Sequence, residues 1–129
     1  MHDVTEGGVA TALWEVAEAS GVGLVVSESE IPRFWESTQL AQHFHFNLLG
    51  AIGSGALVLT VSEPETKGVL ENLEKQGVDA FVIGRVVEQD QGVKMLRGQE
   101  RVELPRYPTD EISRVLASTS STGAGSDER

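Results

Sequence analysis

His2, Asp3, Thr5 and the adjacent glycines Gly7 and Gly8 stand directly before an apolar repeat of helical period. The first N–H groups of a helix lack partners within it and carry the positive end of its dipole. Asp3 and Thr5 are both competent N-caps. Glycines at such an end remove the Cβ atoms that would hold a ligand away. The result is a cradle for phosphate or another anion. Asp3 could orient a metal-bound phosphate there, and His2 could donate to one. The other reading is a tight turn that needs a positive φ at glycine, with Asp3 or Thr5 as an ordinary cap. Spacing alone favours the turn.

A second glycine cluster runs Gly50-Ala51-Ile52-Gly53-Ser54-Gly55. A dinucleotide fingerprint needs its glycines between a strand and a helix, whereas these precede a strand, so that reading fails. A backbone turn passing close to a ligand or to the first helix fits Gly53, Ser54 and Gly55. His43 and His45 flank Phe44. Two histidines at i, i+2 diverge on a helix, and with no cysteine and no third ligand no metal site is assigned. No G-x-S-x-G elbow is present, and the many carboxylates form no acid/base pair. Trp14 and Trp35 read as packing residues.

Several elements must position these residues. Val9, Leu13, Val16 and Ala17 form a helical stripe, and Gly21 ends the helix. Residues 22–27 read as a strand and 36–46 as a short helix. The apolar run 56–61 reads as a strand buried on both faces. Ser62, Pro64 and Glu65 mark a capped helix with Val69, Leu70 and Leu73 as its buried stripe and Gly77 as its stop. Residues 79–88 read as a strand, and a hairpin turns at Gly98. A last helix over 109–117 buries Ile112, Val115 and Leu116. The polar tail 118–129 is expected to be disordered. The order α-β-α-β-α-β-β-β-α predicts an α/β (α+β) sandwich, a mixed β-sheet packed by helices and partly ferredoxin-like.

Composition narrows the function classes. With 129 residues the chain forms one domain. Its net charge of −10 argues against nucleic acid and anionic membranes as partners. The absence of cysteine excludes disulfides and thiolate chemistry and fits the cytoplasm. No run reaches the roughly 18 apolar residues of a membrane span.

Taken with "IP" at 31–32, "LLGAIGSGALVLTV" at 48–61, "VIGRV" at 82–86 and "LPRYPTDEISRVL" at 104–116, the opening segment resembles a known family. It is similar to the C-terminal domain of the AIR synthetase-related superfamily over residues 1–117. Members include AIR synthetase, formylglycinamide ribonucleotide amidotransferase, thiamine-monophosphate kinase, selenophosphate synthetase and the hydrogenase maturation carbamoyl dehydratase. The hydrogenase-maturation group is the nearest in pattern. The resemblance implies an enzyme that uses ATP and Mg²⁺, held mostly by an N-terminal domain that this sequence does not contain. It implies a homodimer, a small-molecule substrate and a cleft between the two domains. Asp3, Thr5, Gly7 and Gly8 would then lie near phosphate or substrate, with Gly53, Ser54 and Gly55 as the neighbouring loop. No cofactor and no ATP turnover are expected of this domain alone. The hydrogenase-maturation group ends in a cysteine that carries the reacting group, and the resemblance does not extend to that residue. The alternative is a non-catalytic oligomerisation or regulatory module that kept the fold.

Overall fold

The structure, a computed structural model, describes residues 1–120. Its elements run β1 (His2–Asp3), α1 (Gly8–Ser20), β2 (Gly23–Ser27), α2 (Trp35–Phe44), β3 (Leu57–Val58), α3 (Glu63–Lys75), β4 (Gly84–Val87), β5 (Val93–Arg97), β6 (Glu100–Glu103) and α4 (Glu111–Ser120). One-turn 3₁₀ segments at Glu28–Glu30, Leu48–Gly50 and Gln89–Gln91 join them.

β2 is the spine of a four-stranded mixed sheet of order β4-β2-β5-β6. It pairs antiparallel with β4 and parallel with β5, and β5 and β6 form the expected hairpin, with Gly98 at φ 62° in its turn. α1 buries Ala10, Leu13 and Ala17 against Leu24 and Val26 of β2 and Val93 and Met95 of β5. Leu49 and Leu104 close this core from two loops. α1 ends as its sequence requires. Gly21 takes a left-handed conformation, and the N–H groups of Gly21 and Val22 return to Glu18 and Ala17. The mixed α/β architecture expected from the order of elements is present, with one strand more than the sequence showed.

That strand is β1. It pairs antiparallel with β3, His2 opposite Val58 and Asp3 opposite Leu57. Two residues are too short for any period-2 signal, so only the partner reveals it.

The second half of the chain departs from the expected burial. The run 56–61 is not a strand buried on both faces. Only Leu57 and Val58 pair, and Leu57, Leu59 and Val61 stand exposed, Leu57 by 52%. A strand needs layers on both sides to bury both faces; β3 packs Val58 on the core, and among the described residues the Leu57 face stays open. The strand expected at 79–88 is reduced to Gly84–Val87, with Phe81 and Val82 exposed. α3 starts at Ser62 as expected, with the Ser62 hydroxyl bonded to the Glu65 carboxylate, and ends before Gly77 at φ 72°. Its stripe Val69, Leu70 and Leu73 is only half-buried.

Two further corrections concern packing. Trp35 is 71% exposed at the start of α2, whereas Trp14 packs on the core. In α4 Leu116 is exposed and Glu111 is buried, because the helix docks by its first turn and not along its apolar stripe. α4 also runs to Ser120, so Ser118, Thr119 and Ser120 of the expected tail are helical. Residues 121–129 of that tail lie outside the described residues.

Candidate functional site

The start of α1 is built by two consecutive left-handed glycines. Gly7 has φ 79° and Gly8 φ 67°, a pairing that side-chain-bearing residues rarely adopt. The Thr5 carbonyl accepts the Gly8 N–H at 3.1 Å and closes the turn. Gly8 also permits close approach. A Cβ placed on it would lie 2.6 Å from the Ala51 carbonyl oxygen and 2.9 Å from the Ala51 nitrogen, with the Leu49 carbonyl closer still. The backbone of 49–51 therefore crosses directly over the helix start.

Neither expected cap is used. The N-cap residue is Gly7, and no side chain caps at that position. Asp110 takes the role from across the chain. Its buried carboxylate accepts the Gly7 N–H at 2.9 Å through Oδ2 and the Ile112 N–H at 2.9 Å through Oδ1. One anion thus satisfies the starts of α1 and α4 together, where both dipoles favour negative charge. Asp3 and Thr5 are left exposed.

The segment 104–114 acts as a strap over this region. The Leu104 carbonyl accepts the Trp14 indole N–H at 3.1 Å. The Arg106 guanidinium lies 3.6 Å above the Trp14 ring and pairs with Glu18 at 2.7 Å. The Tyr107 ring covers Gly50 so closely that any Cβ there would strike it. Burial raises the Tyr107 hydroxyl pKa above its ordinary value, and the nearby Glu111 adds to the effect. The buried Glu111 accepts the Asn47 N–H at 3.2 Å and pairs with Arg114, which donates to the His45 carbonyl at 3.0 Å. Asn47 in turn caps the 48–50 turn by accepting the Leu49 N–H at 2.9 Å.

These contacts bring the two glycine clusters side by side. The Val4 N–H donates to the Ala56 carbonyl at 2.9 Å, extending the β1–β3 pair. A Cβ on Gly53 would lie 2.6 Å from Val4 Cγ1. Gly55 has φ 97° with open space beside it, and Ser54 is exposed. Asp3, Thr5, Ser54 and Gly55 form the solvent-facing rim of this junction. Gly7, Gly8 and Gly53 lie behind it and set its shape. His2 is engaged within it, its Nε2 2.6 Å from Glu15 and its Nδ1 2.6 Å from the Asp3 carbonyl.

Sequence reasoning missed Asp110, Glu111, Tyr107 and Asn47. Pro108-Thr109-Asp110 before a helix is a readable capping signal. The second bond of Asp110, to a residue 103 positions away, has no local signature. His43 and His45 fall at the end of α2, where His45 adopts φ 54°. Among the described residues no group of three or more His, Cys, Asp or Glu could hold a metal ion. No described helix is long and apolar enough to cross a membrane.

Residues 1–96 match the family model of the AIR synthase related protein, C-terminal domain. The chain belongs to this family. Among individual proteins, this AIR synthase related domain is 34% identical over 98 residues to carbamoyl dehydratase HypE of Rhodobacter capsulatus, covering 74% of this chain and 29% of that protein. The chain thus spans less than a third of that relative. The crystal structure of E. coli HypE, a hydrogenase maturation protein, superposes with a TM-score of 0.77 at 29% identity, over 88% of this chain and 36% of that one. A structure of a HypE–HypF complex matches with a TM-score of 0.74 at 26% identity, over 81% and 35%. The fold is therefore that of the HypE-like hydrogenase maturation proteins in their AIR synthase related C-terminal part.

Proposed function

We propose that this domain supplies one wall of an interdomain site in an ATP-dependent enzyme of the hydrogenase-maturation type. The observation that carries the reading is the convergence of Asp3, Thr5, Ser54 and Gly55 on one exposed rim, held by Gly7, Gly8 and Gly53 behind it. Two segments some fifty residues apart meet there, with Gly8 pressed against the 49–51 backbone and Gly53 against the Val4 side chain. The rim offers hydroxyls and a carboxylate. These oxygen donors suit a phosphate bound together with Mg²⁺. Asp3 is the sole carboxylate among the four, so the rest of the Mg²⁺ ligands and most of the ATP contacts belong to an N-terminal domain. ATP bound there would supply phosphoryl transfer. This chain's part is to position the phosphates or the substrate and to exclude water from one side.

The exposed apolar residues Leu57, Leu59 and Val61 support the same reading, since they lie in β3 or directly follow it and offer a face for that domain. The assembled enzyme would be a cytoplasmic homodimer acting on a small molecule. Its protein partners would resemble the HypF that the related complex contains. Purified alone, the 129-residue chain should show no Mg-ATP hydrolysis. Adding the separately prepared N-terminal domain of the Rhodobacter capsulatus relative should confer Mg-ATP binding. Turnover by this chain alone would refute the division of labour.

A further inference from the structure

β4 is the outermost strand of the four-stranded sheet, so one side of its backbone has no strand beside it. The Ser27 N–H donates to the Ile83 carbonyl at 2.7 Å, and Val25 stands opposite Arg85. In an antiparallel ladder, bonded and outward-facing residues alternate. Ile83, Arg85 and Val87 therefore bond to β2, and the N–H and C=O groups of Gly84 and Val86 point away from the sheet. Among the described residues, no backbone hydrogen bond from a turn or loop reaches those two. We propose that this edge takes an added antiparallel strand from a separate protein, an extended segment with a carboxylate at its centre and basic residues at its ends.

The two free edges of the sheet differ. At the far edge, Glu100, Arg101 and Glu103 charge all of β6 but Val102, and Glu103 pairs with Lys94. Charge along an edge discourages pairing. β4 carries one charge, Arg85. Its outward positions are a glycine and a valine. Phe81 and Val82 directly precede it, 57% and 52% exposed. Free backbone groups beside exposed apolar side chains are a template for another strand.

Charge defines that strand further. Asp79, Glu88 and Asp90 flank the edge, all exposed, and no described ion pair includes them. Arg85 is likewise exposed and outside those pairs. An antiparallel strand centred opposite Arg85 meets it with a carboxylate. Its basic end then falls opposite Glu88, with Asp90 just beyond. A second copy of this chain fits poorly. Bonding Gly84 of one copy to Val86 of the other sets the two Arg85 side chains face to face, and like charges directly opposite destabilise a pair. The N-terminal domain is placed against β1 and β3, which form a separate sheet.

Two capped peptides test the edge, Lys-Val-Thr-Glu-Thr-Val-Lys and its charge inverse Glu-Val-Thr-Lys-Thr-Val-Glu. Each is titrated into the isotope-labelled 129-residue chain. Saturable shifts at the Gly84 and Val86 amides are expected with the lysine-ended peptide, which should bind at least about tenfold tighter than its inverse. Val86→Pro removes one outward N–H and no bond to β2, a change that edge strands tolerate. It should weaken binding about tenfold. Glu88→Lys should weaken the lysine-ended peptide and strengthen the inverse one. If Val86→Pro fails to fold by circular dichroism, Glu88→Lys decides. The proposal is overturned by a lysine-ended peptide that does not bind saturably, by equal binding of the two peptides, or by binding unchanged in the folded variants. Two other results overturn it by naming a different occupant. One is sedimentation of the chain alone as a dimer that Val86→Pro disperses. The other is protection of the Gly84 and Val86 amides from exchange by the N-terminal domain of the Rhodobacter capsulatus relative, which leaves the rim at Asp3 and Ser54 untouched.

Discussion

Replacing Gly8 by alanine tests how the α1 start is made. Gly8 sits at φ 67°, and an alanine held there costs about 1–2 kcal/mol. The added Cβ would also lie 2.6 Å from the Ala51 carbonyl and 2.9 Å from its nitrogen. These are backbone atoms and cannot swing aside. Overpacking of this kind costs about 1–3 kcal/mol more. Gly21 at the other end of α1 is the control. It has φ 63°, nearly the same conformation, with nothing within 4 Å of a Cβ. Gly21→Ala therefore carries the conformational part alone. Any gain from a stiffer unfolded chain is common to both and cancels. Urea denaturation of the two variants should place Gly8→Ala below Gly21→Ala by about 1–3 kcal/mol. Equal losses would show that the 49–51 backbone does not cross over the helix start as described.

Further substitutions probe the strap and the ion pairs. Asp110→Ala should lose about 2–4 kcal/mol, because it strands a buried Gly7 N–H and an Ile112 N–H, and Asp110→Asn should lose less by keeping one acceptor. Both are read by the same urea midpoint. Gly50→Ala should destabilise by about 1–3 kcal/mol, and most of that loss should vanish when Tyr107 is shortened to alanine in a double-mutant cycle. The Glu28 carboxyl, held below its ordinary pKa by the bond from Arg97 and then by that from Arg33, makes stability pH-dependent in a stated direction. Its contribution is complete above the ordinary carboxylate pKa and is lost as pH falls through the lowered folded value, so Glu28→Gln should flatten the acid limb of a stability-against-pH curve.

α1, β2 and the β5–β6 hairpin were largely legible because their signals are local. α1 announces itself by the spacing of Leu13, Val16 and Ala17 and stops at Gly21. β2 and the β5–β6 hairpin follow from valine-rich runs and Gly98. Long-range choices were not legible. For Gly7 and Gly8 spacing favoured a turn over a cradle but did not decide between them, because the deciding atoms belong to Ala51 and Asp110. The run 56–61 has the composition of a buried strand, yet burial depends on what lies across it, and this chain places little there. α4 shows the same limit. Its apolar period pointed to Leu116, whereas the helix is anchored by the carboxylates of Asp110 and Glu111.

The central claim is that Asp3, Thr5, Ser54 and Gly55 face a phosphate-bearing ligand together. Titrating Mg-ATP into the isotope-labelled 129-residue chain mixed with the N-terminal domain of the Rhodobacter capsulatus relative tests it most directly. Saturable amide shifts should appear at these four residues, and a Thr5→Ala, Ser54→Ala double variant should weaken them about tenfold or more. Shifts that map to another face, or that persist unchanged in the folded double variant, would contradict it.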